Sequence, residues 1–218
     1  MENTTKKIPT SVYAEMTPNP AAMKFVANRP LIWGGMQVEY RSKGEAKNSS
    51  PLAEELFNFP FVTSVFISGS FVTVLKDESL GWEMVVMQTR EYIREWLTDN
   101  EVAVTAIPTE LVNRTSAAEL GIDTETKPKE SSIDYTEFVP TEHDEEIRFL
   151  LNEFVRPAVE MDGGAIDFMA YKDKRVYVQL KGSCSGCPSS TATLKGGIEN
   201  LLKAKMPDIV EEVVAESV

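Results

Sequence analysis

The polar stretch between Pro108 and Pro140 constrains the fold of this 218-residue chain more than any other feature, because it divides the chain in two. Residues 108–140 are mostly polar, are bounded by prolines and show neither helical nor strand periodicity. Such a stretch does not supply a packed element of its own. We therefore expect an N-terminal domain over residues 1–107, a linker over residues 108–140 and a C-terminal domain over residues 141–218.

The overall charge argues against two classes of partner. The chain carries 22 Lys and Arg against 34 Asp and Glu, which gives a formal net charge of −12. Proteins that bind nucleic acids or anionic membranes present a basic surface, so we expect no nucleic-acid partner and no membrane partner. The chain has no apolar run of the roughly 20 residues that a membrane span needs, and no signal-like apolar segment near its start. We expect a cytoplasmic protein.

The strands of the first domain are indicated by alternation and by turn residues. Strands are predicted over residues 12–16 and 23–33, with a proline-rich turn between them. Residues 61–76 are rich in β-branched and aromatic side chains and contain the short connection Ser68-Gly69-Ser70, which predicts a hairpin.

Two helices complete this domain. Ser50 is a typical N-cap and Pro51 a typical first residue for a helix over residues 51–58. Apolar side chains recur at helical spacing over residues 82–97, which predicts a helix whose tryptophans, Trp82 and Trp96, belong to the core.

The C-terminal domain has the predicted order α-β-β-α-β. Thr141 is the candidate N-cap of its first helix, and Pro157 should interrupt that helix because proline lacks the N–H that the helix requires. Two alternating strands flank the turn at residues 172–174. A second helix ends before Pro207, and residues 209–217 form a last strand. The predicted fold class is α+β, with two small α+β domains joined by a polar linker.

Both cysteines of the chain, Cys184 and Cys187, lie in the segment GSCSGCPSS between the last hairpin strand and the following helix. A helix N-terminus presents unpaired N–H groups and the positive end of the helix dipole, which favour a thiolate over a thiol. We therefore expect two sulfur anions and predict Cys184 and Cys187 as metal and cofactor ligands. The only histidine, His143, is predicted in a distant, solvent-exposed helical turn, so we expect no catalytic residues.

Three chemistries use such a pair of thiols. A thiol–disulfide oxidoreductase needs only one chain, because an attacking and a resolving cysteine suffice. A zinc or iron–sulfur site usually needs four protein ligands, and this chain supplies two. A second copy related by a two-fold axis would supply the other two and place the site between subunits. A loop with two thiols and no bound group is also compatible with the spacing.

A resemblance to a known family narrows these alternatives. The segments VRPAVEMDGGAIDF and VYVQLKGSCSGCPSSTATLKGGIENLL closely resemble the C-terminal domain of NifU, the Nfu-type iron–sulfur cluster scaffold. YAEMTPNPAAMKFV and SPLAEELFNFPFVTSVFISGSFVTVLK resemble the N-terminal domain found in Nfu proteins. The resemblance implies a homodimeric scaffold or carrier rather than an enzyme, in which Cys184 and Cys187 of two subunits hold a bridging [4Fe–4S] cluster, in preference to [2Fe–2S]. It further implies an upstream assembly machinery and apo-protein recipients.

Four other positions lie in or beside the motif, namely Ala165, Asp162, Gly196 and Gly197. Many relatives have an acidic residue where this chain has Ala165, so no role of that carboxylate is transferred. Asp162 is expected to be a turn residue. Gly196 and Gly197 interrupt a helix at a cost of about 1 kcal/mol each, which predicts a close approach by another backbone, the sheet in preference to a partner subunit.

Overall fold

The computed structural model describes residues 8–33, 35–107, 138–185 and 188–217, with the side chains of residues 188–190 and 217 excepted. The chain divides into two compact units, Met1–Leu111 and Val112–Val218. Most of the predicted linker lies outside the described residues, and so does Cys187. Within the part of the chain that the structure describes, no helix is long and apolar enough to cross a membrane.

One antiparallel sheet and three helices form the described part of the first unit. Its elements are β1 (Val12–Met16), β2 (Ala22–Ala27), β3 (Gln37–Tyr40), α1 (Lys43–Ala46), α2 (Pro51–Leu56), β4 (Val62–Ser68), β5 (Phe71–Lys76) and α3 (Trp82–Asp99). The strand order is β1-β2-β5-β4-β3, and each neighbouring pair is antiparallel. Together with the second unit, this mixture of helices and sheet confirms the predicted α+β class.

The predicted β4–β5 hairpin lies inside this sheet. Ser68 pairs with Phe71, so Gly69 and Ser70 make a two-residue turn in which Gly69 takes a φ of +51°. One face of the sheet packs with the helices through fully buried side chains, namely Phe25, Val65, Ile67, Val72, Val74, Ile93 and Leu97. Trp82 is buried in the same cluster and Trp96 packs against it, as predicted.

The segment after β2 departs from the prediction. The sequence predicts a strand that continues to Trp33, whereas β2 ends at Ala27. Pro30 has no N–H to donate to a neighbouring strand, and the N–H of Leu31 donates instead to the carbonyl of Gly69 at 2.8 Å. Strand β3 and helix α1 were not predicted, because each spans four residues, too few for a period to stand out.

Arg29, in the turn after β2, connects that turn to the end of α3. Its Nη1 donates to the carbonyl of Glu101 at 2.6 Å, and its Nη2 donates to the carbonyls of Leu97 at 2.7 Å and Asn100 at 2.5 Å. The last carbonyls of a helix have no intrahelical donor, and a cation complements the negative end of the helix dipole. One side chain therefore caps α3 and joins it to the sheet.

The second unit has the predicted α-β-β-α-β order. Its elements are α4 (Asp144–Leu150), a π-helical turn (Leu151–Val155), α5 (Arg156–Met161), β6 (Gly164–Lys172), β7 (Arg175–Gly182), α6 (Pro188–Lys205) and β8 (Glu212–Ser217). The strand order is β6-β7-β8, with β6 and β7 antiparallel and β7 and β8 parallel. Helix α6 makes the crossover between the two parallel strands, which places a strand-to-helix connection directly after β7.

The first helix of this unit begins later than predicted. Thr141 is the predicted N-cap, but α4 begins at Asp144 with His143 at the N-cap position. The hydroxyl of Thr141 donates instead to the carboxylate of Asp144 at 2.5 Å. His143 is half-buried rather than solvent-exposed, because its ring meets the ring of Tyr171 edge-on at a centroid distance of 5.5 Å.

Pro157 interrupts the helix as predicted. The N–H of Arg156 reaches back five residues to the carbonyl of Leu151, which closes the π-helical turn. Pro157 then stands in the first turn of α5, where a missing N–H leaves no hydrogen bond unmade. The chain thus changes helix register around the proline and continues towards the turn before β6.

We expect Arg29→Ala to destabilise the first unit by about 2 kcal/mol, because three carbonyls lose a charged donor. All three tryptophans of the chain lie in this unit, so urea unfolding followed by tryptophan fluorescence reports on it selectively. The control is Arg94→Ala, which removes an exposed ion pair with Glu91 on α3 and should change the midpoint little. Equal midpoints for the two variants would contradict the capping role of Arg29.

Candidate functional site

The connection from β7 to α6 carries both predicted ligands. Strand β7 ends at Gly182, whose φ of +63° turns the chain away from the sheet. Ser185 closes this turn, because its N–H and its Oγ donate to the carbonyl of Gly182 at 3.0 and 2.8 Å. Helix α6 begins at Pro188, as predicted. Cys184 therefore lies inside a hydrogen-bonded turn, while Cys187 lies outside the described residues.

A second turn, Asp162-Gly163-Gly164, lies against the cysteine turn. Gly163 takes a φ of +81° and reverses the chain between α5 and β6, which confirms the predicted turn. The N–H of Ser183 donates to the carbonyl of Gly163 at 3.2 Å. The hydroxyl of Ser183 donates to the carbonyl of Asp162 at 2.5 Å. The two turns are thus joined by both hydrogen-bond donors of the residue that precedes Cys184.

Gly164 faces Cys184 at unusually close range. A methyl group at Gly164 would lie 2.6 Å from the Sγ of Cys184 and 2.8 Å from the carbonyl oxygen of Lys181. Both distances are shorter than real Cβ contacts. The positive φ of the turn belongs to Gly163. Position 164 therefore needs glycine because a side chain there would clash with its neighbours, and not because of its backbone conformation. The cysteine sulfur occupies the space that a side chain at position 164 would fill.

Burial decides the protonation state of Cys184. The residue is only 8% exposed and belongs to the apolar cluster of the second unit. Desolvation raises the pKa of the Cys184 thiol to about 11, with a smaller raising effect from the charge of Asp162 and an opposing effect from the hydroxyl of Ser183. The expectation of a thiolate is therefore wrong for Cys184 in this state, because loss of solvent outweighs the helix N-terminus.

The backbone of Cys184 is also fixed. The hydroxyl of Thr191, in the first turns of α6, donates to the carbonyl of Cys184 at 3.3 Å. On the neighbouring strands, Lys181 and Asp167 form an ion pair of 2.6 Å in which both side chains are almost fully buried. Lys181 directly precedes Gly182, so this pair fixes the strand end from which the cysteine turn departs.

The remaining motif positions are distributed as follows. Ala165 is buried and pairs with Lys181 in the β6–β7 register. A Cβ at Gly196 or at Gly197 would meet no atom of the described residues within 4 Å. The predicted close approach of the sheet to these two glycines is therefore wrong, since nothing that the structure describes packs against them at that range.

Cys184 alone does not make a metal site. Among the described residues, no group of three or more His, Cys, Asp or Glu side chains is placed to hold a metal ion. A thiolate is a soft ligand suited to iron and zinc, and a thiol must lose its proton before it binds either metal. Sulfur ligation at Cys184 thus requires both deprotonation and exposure of a side chain that is now buried.

Sequence reasoning missed the residues that hold Cys184 in place. Gly164 and Ser183 stand inside the quoted motifs, yet only the fold reveals that they meet. Strand alternation alone places Asp167 of β6 and Lys181 of β7 on the face opposite Phe168. A charge pair between them could therefore have been predicted from the sequence. Strand register was needed to show that the two charges are close enough to bond.

We expect Cys184 to be a slow nucleophile at neutral pH. In a Cys187→Ser chain, the rate of alkylation by iodoacetamide should keep rising until about pH 11, because burial raises the pKa of the Cys184 thiol to that value. The neutral thiol stabilises the fold fully below the unfolded pKa, and this contribution is lost as pH rises towards the folded pKa. In denaturant the same rate should level off near pH 9. A plateau at pH 9 in the native chain would contradict the raised pKa.

Comparison with known proteins matches both units. Residues 12–100 match the family model described as "Scaffold protein Nfu/NifU N terminal", and residues 147–214 match the model described as "NifU-like domain". A solved structure, the solution NMR structure of a NifU-like protein from Saccharomyces cerevisiae, is similar over 48% of this chain and 91% of its own, with 22% identity and a TM-score of 0.38.

Curated relatives are similar along most of the chain. Proteins of Drosophila virilis and Drosophila persimilis, each named "NFU1 iron-sulfur cluster scaffold homolog, mitochondrial", are 33% and 32% identical over 208 residues. These alignments cover 93% of this chain but 61% and 64% of the relatives, so the chain spans less than two thirds of their length. With a matching domain model in each unit, the chain belongs to the Nfu/NifU family, as an Nfu/NifU N-terminal domain followed by a NifU-like domain.

Proposed function

We propose that this chain is an iron–sulfur cluster carrier that binds a [4Fe–4S] cluster through Cys184 and Cys187 and passes it to apo-proteins. One observation carries the proposal. The only two cysteines of the chain lie on the β7–α6 connection of a domain that belongs to the NifU-like family. The two curated Drosophila relatives are named as iron–sulfur cluster scaffolds, and their name does not describe an enzyme.

Ligand number supports a homodimer. A [4Fe–4S] cluster is commonly held by four thiolates, and each chain supplies two. Two copies related by a two-fold axis bring four sulfurs together in a closed assembly. The cluster would lie between the subunits and not within one of them. Such a shared cluster is released when the two copies separate, which suits a carrier.

Transfer would proceed by ligand exchange. A thiolate of the recipient forms a bond to an iron as the bond from Cys184 to that iron breaks, so the number of iron–sulfur bonds is conserved. The released Cys184 sulfur then takes a proton from solvent. Burial raises the pKa of the Cys184 thiol to about 11, so the released side chain is held as a neutral thiol at pH 7. A neutral thiol does not compete for the iron, and this favours delivery over return.

The oxidoreductase alternative needs Cys184 exposed and ionised, as cluster binding does. A thiol that attacks a disulfide must be exposed and substantially ionised near ambient pH. Cys184 is 8% exposed, and burial raises the pKa of its thiol to about 11. Cys187, outside the described residues, would have to supply the attack alone. A zinc-bridged structural dimer is the other alternative, and metal analysis separates it from a cluster carrier.

Location and the role of the first unit stay predictions. A cytoplasmic location is our expectation from the sequence, whereas the names of the two relatives include the word mitochondrial. The first unit contains no cysteine and no histidine, so we propose that it recognises recipients or controls access to the cluster. Cluster transfer from a chain that lacks residues 1–140, compared with the full chain over a panel of apo-proteins, tests this role.

We expect native mass spectrometry after anaerobic reconstitution with iron and sulfide to detect a dimer with four irons and four sulfides. Cys184→Ser and Cys187→Ser should each abolish this species, because each removes two of the four ligands from the dimer. The matched control is His143→Ala, which removes the only histidine and should leave the species intact.

The other outcomes discriminate between the alternatives. A dimer that contains only zinc would favour the structural metal site. A monomer that binds no iron, yet reduces disulfides after treatment with dithiothreitol, would favour the oxidoreductase. A dimer with two irons and two sulfides would keep the carrier role and overturn the assignment of [4Fe–4S].

A further inference from the structure

Cys184 occupies a position in which it cannot yet serve as a shared ligand. A sulfur that binds a cluster between two chains must contact iron at the surface where the chains meet. The Sγ of Cys184 points instead towards Gly164, in a residue that is 8% exposed and packed in the apolar cluster of its own unit. We call this arrangement the retracted position of Cys184.

The retracted position depends on the absence of a side chain at Gly164. The space that the Sγ occupies lies 2.6 Å from the place where a Cβ of residue 164 would be. Any other residue at this position would force either the sulfur or the carbonyl of Lys181, which lies 2.8 Å from the same point, to move. A sulfur at the end of a rotatable side chain moves more easily than a strand carbonyl. A side chain at residue 164 would therefore push Cys184 outwards.

Ser183 secures the same arrangement from the backbone side. Its N–H donates to the carbonyl of Gly163 at 3.2 Å and its hydroxyl donates to the carbonyl of Asp162 at 2.5 Å. Its oxygen also lies 3.8 Å from the Sγ of Cys184. Residue 183 therefore attaches the cysteine turn to the turn that contains Gly164. When these bonds break, the cysteine turn is free to swing about Gly182.

We propose that Gly164 and Ser183 are positioning residues that hold Cys184 in the retracted position until the cluster and a second copy engage it. We call the hold of Gly164 and Ser183 on the Cys184 sulfur the latch. Its purpose rests on the proposed carrier function, but the latch itself is present in the chain without its cluster. In that state it shields one of the two thiols from alkylation, oxidation and adventitious metals. During delivery it gives the released sulfur a place to return to.

The test measures the exposure of Cys184 directly, in the full chain with Cys187→Ser so that a single thiol reacts. Intact mass spectrometry follows alkylation by iodoacetamide at pH 7.5. Ser183→Ala should raise the rate roughly fivefold, the factor expected from the loss of one hydrogen bond. Ser183→Thr keeps the hydroxyl and should react at nearly the parent rate. Gly164→Ala should raise the rate more than Ser183→Ala does, since it fills the space itself.

Gly197→Ala is the matched control for Gly164→Ala. A Cβ at Gly197 would meet no atom of the described residues within 4 Å, so the same chemical change is made where it displaces nothing. Its alkylation rate should equal that of the parent. Urea unfolding of every variant, followed by circular dichroism, identifies any variant that fails to fold. Ser183→Ala then carries the test alone if Gly164→Ala does not fold.

Two results would overturn the latch. Unchanged alkylation in folded Ser183→Ala and Gly164→Ala would show that neither residue holds the sulfur. Equal acceleration by Ser183→Ala and Ser183→Thr would assign the effect to general loosening rather than to the hydroxyl. Failure of the carrier function is a separate observation: the unaltered chain would then bind no iron and sulfide, while the alkylation rates could still follow the predicted order.

Discussion

Packing of the Cys184 sulfur against Gly164 is the contact on which the candidate site depends. It requires a residue without a side chain at the first position of β6 and a turn that brings Cys184 back over that position. Ser183 supplies the attachment between the two turns. The apolar surroundings then keep the thiol neutral, because a charge at this place would lose its solvent. The position of the Cys184 sulfur and the protonation state of its thiol thus both follow from this packing.

The β6–β7 hairpin makes that contact reproducible. Gly164 pairs with Gly182, so the register of the hairpin places the two turns beside each other. In the buried ion pair, Asp167 lies three residues from Gly164 and Lys181 lies one residue from Gly182. A buried charge pair contributes little net stability but penalises alternative registers, in which either charge would be left alone.

The first unit has a different organisation and contains neither cysteine nor histidine. It holds all three tryptophans and has its own core, while both cysteines and the histidine belong to the other part of the chain. Arg29 caps helix α3 of this unit through three carbonyls and so joins the helix to the sheet.

The sequence by itself determined the α+β class, the element order of the second unit, the interruption at Pro157 and the position of Cys184 between a strand and a helix, because these follow from local periodicity, turn residues and proline stereochemistry. It missed β3 and α1, which are too short to show a period. Only the tertiary structure decided that Gly164 makes room for a sulfur and that Cys184 is a buried thiol rather than an exposed thiolate. Desolvation depends on which distant residues surround a group, and no local pattern contains that information.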